Sequence, residues 1–370
     1  MPPIFYQHYW DVAKAVLTWL NSGTICPSFN HTYITLIPKV KCPQQVTEFH
    51  PIALCNILYK LVSKVLVNRL KKLLPDIISE SQSVFQSDKA TSDNILGAFE
   101  SLHHMKHNKV GKSGFMAMKL HMSKAYDYVE WNFLCQLMEK MGFEDRWIQL
   151  IYGCIGSISY SILVNGEPHG DIKPTTRLRQ GDPLSPYLFL LVSEGLNGLI
   201  QQAVAMGDIR GFSLCHNGPQ ISHLFFTNDT LLFHRAELRE VQTIQNILRK
   251  YKLALGQKIN QGKTTLFFGQ SISLLSKNAI KNLLGVPEIK EYERYLGLPA
   301  VVGKNRMASL NYIKQRIWGK LQGWKEKLLS QTGREVLLKA VVQAIPTFAM
   351  SFFKLPVGLY NDIEAMIRKF

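Results

Sequence analysis

The sequence lacks the signals of several protein classes. It has no CxxC pair and no histidine spacing typical of a zinc site, so its cysteines predict reduced, mostly buried thiols. It does not open with a basic segment followed by an apolar core, and no run of about eighteen apolar residues occurs. We therefore expect no secretion and no membrane partner, and place the protein in the nucleus or cytoplasm. The six scattered cysteines are Cys26, Cys42, Cys55, Cys135, Cys154 and Cys215.

Acidic residues are scarce relative to basic ones. The chain has 27 Asp and Glu against 43 Lys and Arg, which leaves a net charge of +16. An excess of this size favours a polyanionic partner such as nucleic acid, and the alternative is a charge that serves only solubility. At 370 residues the chain also exceeds the usual size of one hydrophobic core, so we expect two or three subdomains.

Two stretches about a hundred residues apart predict a shared polar site. Residues 224–233 are two apolar, aromatic-rich runs around a polar tip, which predicts a hairpin that carries Asn228 and Asp229 out of a buried sheet. Residues 115–121 predict a strand that ends at His121. If the two lie side by side in a sheet, their polar groups meet at one point, as a site for metal ions and phosphates requires.

The loop before the helix at 185–204 is a candidate for anion contact. Ser185 suits the N-cap position and Pro186 the first helical turn, so Gln180 and Gly181 would precede a helix N-terminus, where backbone N–H groups are free to bind anions. Taken alone, the loop is only the entry to a helix.

Basic helices are a second candidate surface. Residues 58–72 form an amphipathic pattern with no acid, and residues 304–330 carry seven basic residues against one acid. Either helix is a solvated surface or a contact for phosphates, and the candidate contacts are Lys60, Lys64, Arg69, Lys314 and Lys320. The apolar stripes at 8–21, which contains Trp10 and Leu17, and at 318–328 predict core packing.

Local signals predict several element ends. Ser123 is suited to cap a helix that reaches toward Trp131, and Asn165-Gly166 predicts a hairpin turn. Thr332 and Glu335 form a capping-box pattern, and Pro346 predicts the end of the helix that follows it.

Five motifs in this order resemble the successive palm motifs of reverse transcriptases. They are KLHMSKAYD at 119–127, RQGDPLSP at 179–186, FTND at 226–229, GQKIN at 256–260 with Lys263, and YLGLP at 295–299. The resemblance covers nearly the whole chain and is greatest to non-LTR, LINE-type retroelements of plants. It implies an α/β (α+β) right-hand polymerase fold with fingers at 1–114, a palm at 115–303 and a truncated helical thumb at 304–370. A fingers-side insertion is expected near 133–175.

The resemblance also implies a reaction and its participants. Reverse transcriptases add dNTPs to a primer 3′-hydroxyl with two Mg²⁺ ions held by aspartates, so the expected partners are an RNA template, a DNA primer or an RNA–DNA hybrid. By resemblance, Tyr126 rejects a 2′-hydroxyl, Gln180 and Gly181 shape the nucleotide pocket, and Lys263 lies near the departing phosphate. Without the resemblance, Tyr126 is a core residue, Gly181 a turn residue and Lys263 a surface charge.

The chain departs from the family at the residues that carry the chemistry. His121 and Asn228 stand where the family has aspartates, which leaves Asp229 as the remaining acid of the expected catalytic group. His50 stands where the family usually has an arginine that meets the triphosphate, and residues 87–89 replace a common Pro-Gly-Arg. Imidazole is a poor ligand for Mg²⁺ and an amide carries no charge, so Mg²⁺ binding should be weakened or lost.

We therefore expect a reverse transcriptase domain with negligible activity. His121 and Asp229 stay candidate ligands for Mn²⁺ or Zn²⁺. Two alternatives are a pseudoenzyme that binds nucleic acid through its basic helices, and a fragment of a retroelement without a selected role.

Overall fold

A computed structural model of the protein describes residues 3–85, 89–107, 114–123, 125–215, 218–227, 229–288, 294–299, 302, 305–325 and 329–370. The N-terminal elements are α1 (Pro3–Ser22), α2 (Pro27–Asn30), β1 (His31–Pro38), β2 (Phe49–Cys55), α3 (Ile57–Leu70), α4 (Leu74–Ile77) and α5 (Thr91–His107). The central elements are β3 (Phe115–Ser123), α6 (Trp131–Lys140), α7 (Asp145–Gly156), β4 (Ser159–Val164), β5 (Glu167–Ile172), α8 (Ser185–Ala205), β6 (His223–Phe226), β7 (Asp229–Arg235), α9 (Leu238–Leu255), β8 (Lys258–Ile259), β9 (Thr265–Phe268) and α10 (Leu274–Leu284). The C-terminal elements are β10 (Arg294–Tyr295), β11 (Leu298–Pro299), α11 (Arg306–Lys325), α12 (Gln331–Leu337), a π-helical turn at Leu338–Val342, α13 (Ala344–Met350) and α14 (Val357–Arg368).

Strand β3 is the centre of the main sheet. The strand order is β6-β7-β3-β8, β9 also pairs with β3, and all of these pairs are antiparallel. Met116, Met118 and Leu120 face a large core that includes residues of α6, α8 and α9, whereas Ala117 faces a second core formed with α5. From Met116 to Met118 the strand is apolar and buried on both faces. Toward its end, the partly exposed Lys119 and His121 alternate with the buried Leu120 and Met122.

A second sheet contains elements from two parts of the chain. Its order is β2-β1-β4-β5, with β1 and β4 parallel and the other pairs antiparallel. The β4–β5 hairpin turns at Asn165 and Gly166, which both have positive φ, so the predicted turn is confirmed. This hairpin follows α7 in sequence but extends the sheet that begins near the N-terminus.

Helix α8 is the central core helix. By length and apolar composition it could cross a membrane, which the sequence reading did not predict. More than half of its residues are buried inside the protein, from Ser185 to Ala203, against the main sheet and its neighbouring helices. The central helix of a protein core can be as long and as apolar as a membrane span. Here the apolar residues of α8 pack against the main sheet and its neighbouring helices.

The C-terminal helices form a third core. Leu310, Ile313, Ile317 and Leu321 recur at helical spacing along α11 and pack with residues of α13 and α14. Ile95 of α5 and Leu298 of β11 belong to the same cluster, so this core continues into the rest of the molecule.

Three predicted helix starts are wrong. Ser123 is the last residue of β3, residues 125–128 form a turn, and α6 begins only at Trp131. Ser185 is the first helical residue of α8 rather than its cap, because the Leu184 carbonyl oxygen already accepts the Leu188 N–H at 3.2 Å. Ser330, not Thr332, caps α12, since its hydroxyl accepts the Gly333 N–H.

Pro346 does not end a helix. It lies in the first turn of α13, where a proline removes no intrahelical hydrogen bond, and the π-helical turn precedes it.

Several residues assigned to the core are exposed. Trp10 and Leu17 of α1 are 68% and 57% exposed, because the described part of this helix is buried only at Trp19 and Leu20. Trp318 is 48% exposed, since it lies off the stripe that α11 buries. The cysteines are free, as expected, but only Cys55 and Cys154 are buried, so the expectation of mostly buried thiols is wrong.

Candidate active site

The hairpin of β6 and β7 carries the first part of the site. Phe225, Leu231 and Phe233 are buried, and this burial fixes both strands in the sheet. At the tip, Thr227 has a φ of +47° and Asp229 pairs with Phe226. The predicted hairpin is confirmed, whereas Asn228 lies outside the described residues.

The register of the sheet places His121 opposite Asp229. The two residues are cross-strand partners at the end of the β3–β7 ladder. The Nδ1 atom of His121 lies 2.9 Å from Oδ1 of Asp229, and the two side chains are 23% and 26% exposed. The two predicted site residues therefore meet, and they bind each other.

Two residues that sequence reasoning did not assign hold the hairpin in place. The Asn94 side chain donates to the Phe225 carbonyl oxygen at 2.9 Å and accepts from the Tyr295 hydroxyl at 2.9 Å. Burial, with a smaller contribution from the Asp229 charge, raises the pKa of Tyr295, so its hydroxyl keeps its proton. Tyr295 belongs to the YLGLP motif, which was noted without a role for any single residue.

The turn that carries Lys263 is attached to the strand end. The Asn260 N–H donates to the His121 carbonyl oxygen at 2.9 Å, and the Lys263 N–H donates to the Asn260 carbonyl oxygen at 3.1 Å. The Lys263 side chain is exposed. The structure thus places this lysine in a turn that begins beside His121.

Tyr126 lies in the turn that follows β3, and the loop at 177–182 contacts this turn. The Tyr126 ring stacks on Phe189 at 5.2 Å, and burial raises its pKa to about 12. The Leu178 N–H donates to the Tyr126 carbonyl oxygen at 2.7 Å, which ties the loop to this turn. The Gln180 carbonyl oxygen accepts the Ala53 N–H at 3.0 Å, so the same loop also contacts β2.

The backbone conformation at Gly181 favours glycine over every other residue. Its φ is +101°, and a Cβ atom there would lie 3.0 Å from the Ala53 carbonyl oxygen. Beside it, Oε1 of Gln180 is buried and has no hydrogen-bond partner within the described part of the chain. An unpaired buried acceptor of this kind is available to a ligand.

A buried ionic network fixes the loop. Arg179 and Asp182 form an ion pair at 3.1 Å with side chains that are almost completely buried. The Arg179 guanidinium also donates to Asn30 at 2.8 Å and Thr32 at 3.0 Å, and the Tyr59 hydroxyl donates to Asp182. Arg179 and Asp182 belong to the RQGDPLSP motif, in which neither residue was assigned a role.

A model of the family described as reverse transcriptase (RNA-dependent DNA polymerase) matches residues 37–300, well over half of the chain. The chain belongs to the reverse transcriptase family. A 149 kDa protein of transposon TX1 from Xenopus laevis is 22% identical over 348 residues, which are 91% of this chain and 26% of that protein. A retrovirus-related Pol polyprotein from the type-1 retrotransposable element R2 of Popillia japonica is 23% identical over 75% of this chain and 36% of that protein.

A shorter relative matches more closely. An uncharacterized mitochondrial protein of Arabidopsis thaliana is 38% identical over 106 residues, which are 29% of this chain and 86% of that protein. The expected kinship with non-LTR retroelement proteins is confirmed. The chain spans only about a quarter to a third of the two transposon proteins.

A solved structure supports the fold. Telomerase from Candida tropicalis, in complex with a TWJ fragment of telomeric RNA, has a TM-score of 0.50 and 14% identity to this chain. The match covers 98% of this chain and 58% of that one. The mixed α/β right-hand polymerase fold expected of a reverse transcriptase is thereby confirmed.

His50 and Lys89 are the described residues at two positions where the chain departs from the family. His50 is exposed on β2, where it pairs with Ile37 of β1. Residues 87 and 88 lie outside the described residues, but Lys89 donates to the carbonyl oxygens of Ser79 and Gln82, both at 3.2 Å. The lysine of this segment therefore contacts the backbone of the protein itself.

The predicted nucleic-acid contacts differ in their surroundings. Lys60, Lys64 and Arg69 are exposed on α3, and none of them forms an ion pair with a residue that the structure describes. Lys320 is likewise exposed on α11, but Lys314 pairs with Asp362 of α14 at 2.6 Å. A count of acids within 304–330 could not detect this partner.

The reverse transcriptase family implies a metal-dependent polymerase, typically one that uses Mg²⁺. Among the described residues, no group of three or more His, Cys, Asp or Glu side chains is arranged to hold a metal ion. At the site, one carboxylate contacts an imidazole nitrogen, and Mg²⁺ strongly prefers oxygen ligands. The residues described there do not fit a pair of Mg²⁺ ions.

Proposed function

We propose that this reverse transcriptase domain keeps the polymerase fold but does not carry out nucleotidyl transfer at a useful rate. The observation that carries the proposal is the 2.9 Å contact between Nδ1 of His121 and Oδ1 of Asp229. A carboxylate that should compensate a divalent cation instead accepts a hydrogen bond from, or pairs with, a neighbouring imidazole. The ancestral reaction is RNA-templated DNA synthesis from dNTPs.

The size of the expected defect follows from the charges. Losing one carboxylate that compensates a catalytic cation costs on the order of several kcal/mol of transition-state stabilisation, and about 1.4 kcal/mol corresponds to a tenfold change in rate. His121 and Asn228 together remove two such charges from the expected site. Activity should therefore fall by many orders of magnitude.

Primer extension on an RNA template tests this proposal. With dNTPs and either Mg²⁺ or Mn²⁺, the purified protein should give no product above that of an Asp229→Ala control. Extension that depends on Asp229 would overturn the proposal. A His121→Asp and Asn228→Asp double reversion should produce activity, and each single reversion should produce less.

In the ancestral reaction, residues of the loop at 177–182 would form part of the nucleotide pocket. The buried, unpaired Oε1 of Gln180 and the close approach of Gly181 to Ala53 favour these residues as the wall of that pocket. Tyr126 would reject the 2′-hydroxyl, and the exposed Lys263 would lie near the departing phosphate. In the double revertant, Tyr126→Ala should permit incorporation of ribonucleotides, which a ribonucleotide primer-extension assay measures.

A second candidate function is nucleic-acid binding without catalysis. The exposed cations of α3, which have no described ionic partner, favour it. Binding to an RNA–DNA duplex should weaken with salt, with a logarithmic slope of about 0.7 to 0.9 per phosphate contact. A triple Lys60→Gln, Lys64→Gln, Arg69→Gln variant should bind the duplex more weakly, and its affinity should depend less steeply on salt concentration. A folded protein that does not bind the duplex at about 50 mM salt would remove this function.

We also propose the division into fingers, palm and thumb at 1–114, 115–303 and 304–370, and an intracellular location. The attachment of β4 and β5 to the N-terminal sheet supports a fingers-side insertion within the palm.

A further inference from the structure

A cavity of about 630 Å³ lies away from the candidate active site. It is bounded by the C-terminal half of α5, the start of α11 and the segment between α13 and α14. Neither His121 nor Asp229 is among the described residues that line it. Its volume is within the range of about 300–1,000 Å³ that ligand sites occupy.

A continuous row of rings forms one side of the cavity. The Phe353 and Phe99 ring centroids are 5.1 Å apart, those of Phe99 and His103 are 5.9 Å apart and nearly parallel, and those of His103 and His107 are 4.2 Å apart. His103 and His107 are exposed, while Phe99 and Phe353 are half-buried. The row thus offers aromatic surface that is accessible at its histidine end.

Cations stand beside this row. Arg306 and Lys354 line the cavity, are exposed, and form no ion pair with any residue in the described part of the chain. Glu100 is the acid among the described lining residues, so the fixed charges of the lining are net positive even with both histidines neutral. A bound anion would find partners that the protein itself does not occupy.

We propose that this cavity binds a short segment of single-stranded nucleic acid, with bases against the ring row and phosphates on Arg306 and Lys354. Single-strand binding sites combine aromatic stacking surfaces with cations along the backbone. A neutral apolar ligand would make no use of the two cations, and an acidic peptide would make no use of the rings. The site does not depend on whether the catalytic residues hold metal ions.

The first test measures binding of a fluorescein-labelled single-stranded oligonucleotide of about eight nucleotides, within the known site sizes of single-strand binders. An Arg306→Gln, Lys354→Gln double variant should bind more weakly, and its logarithmic salt slope should be smaller by about 1.4, at about 0.7 per phosphate. The matched control is Arg249→Gln, Lys252→Gln, which removes the same charge from the exposed surface of α9. Equal losses in the two variants would overturn the proposal.

Two single variants test the chemistry of the site. Phe99→Leu should weaken binding about fivefold or more, since each stacked base contributes that much. Glu100→Gln should strengthen binding, because it removes the lining acid. Phe99→Leu binding that equals the unchanged protein would contradict the stacking role, provided that thermal unfolding shows an intact fold.

Photocrosslinking maps the site in the unchanged protein, so it does not depend on any variant's folding. An oligonucleotide with 5-iodouracil should crosslink to α5 or to residues 351–356, and RNA–DNA duplex should not compete equally well. Crosslinks confined to other segments would overturn the proposal. Duplex binding that persists in the Arg306→Gln, Lys354→Gln variant would separate this site from the duplex surface proposed above.

Discussion

Arg179 and His121 each contact an aspartate, but the two pairs lie in different environments. The Arg179–Asp182 pair is almost completely buried, and Asn30, Thr32 and Tyr59 complete its hydrogen bonds. The His121–Asp229 pair is about one quarter exposed at the end of a strand ladder. A buried charge is stable only when protein groups supply its hydrogen bonds and its opposite charge. A partly exposed group can form hydrogen bonds with water when its partner is lost.

Under the proposal that the catalytic group is altered, this contrast explains how the protein keeps its fold. Arg179 and Asp182 hold the loop that joins β2, the Tyr126 turn and α8, so a change there disturbs several elements. A change at the exposed end of β3 affects the charge available to a ligand but little of the packing. The predictions below test this contrast, from the largest effect to the smallest.

Asp182→Ala should destabilise the protein by about 3–5 kcal/mol, because it leaves the Arg179 charge buried without its partner. Urea unfolding followed by circular dichroism measures the change. The matched control is Asp208→Ala, which removes an exposed pair with Arg239 and should cost less than about 1 kcal/mol. Similar losses in the two variants would contradict the role given to burial.

His234 provides a buried contrast to His121 in the same pair of strands. Burial lowers the pKa of His234 from the ordinary 6.5 to about 4. The unfolded chain therefore binds a proton first, and the stability contributed by neutral His234 is complete above pH 6.5 and is lost as the pH falls toward 4. Between these values the loss should approach about 1.4 kcal/mol per pH unit.

Urea unfolding of the protein from pH 7 to pH 5 checks this prediction. His223 has a pKa lowered to about 4 by burial and should contribute in the same sense. His234→Asn should reduce the slope of unfolding free energy against pH by up to about 1.4 kcal/mol per pH unit. His169→Asn, on the exposed strand β5, is the matched surface substitution. An unchanged dependence in His234→Asn would show that this imidazole is not the source.

Gly181→Ala should cost about 1–3 kcal/mol, because alanine is strained at a φ of +101° and its Cβ would crowd the Ala53 carbonyl oxygen. Gly198→Ala is the control, since this glycine is in α8 with open space around it and should gain about 0.5–1 kcal/mol. Unfolding midpoints of the two variants that move in the same direction would refute the backbone argument.

The parts of the fold that follow from local patterns could be predicted from the sequence. The β6–β7 hairpin, strand β3 and the Asn165-Gly166 turn are determined by residues that are close in sequence. The order of the motifs also predicted that His121 and Asp229 lie in one site, and the two residues are cross-strand partners. The hydrogen bond that holds the β6–β7 hairpin could not be predicted, because its donor Asn94 and its acceptor Phe225 are 131 positions apart in the sequence.

Local sequence patterns gave wrong predictions for one helix start, one ion pair and the buried face of α1. The Ser185 cap was wrong because the helix begins one residue earlier, where the Leu184 carbonyl oxygen accepts the Leu188 N–H. Lys314 was read as a free cation, although Asp362 lies 48 positions further along the chain. Trp10 and Leu17 matched a core stripe, but no described element covers that side of α1.

His121→Ala should have the smallest effect on stability, less than about 1 kcal/mol, because partly exposed pairs contribute little once water can replace the partner. The measurement is urea unfolding at pH 7, with Asp229→Ala as the companion variant. Both variants should remain within about 1 kcal/mol of the unchanged protein. Because either substitution already removes the pair, the loss in the double variant should be smaller than the sum by the coupling energy of the pair. A loss above about 2 kcal/mol in either would mean that the pair supports the fold as Arg179 and Asp182 do. In that case the altered residues would be a structural replacement for the catalytic group, and the double reversion to aspartates should then fail to restore activity because it would destabilise the hairpin.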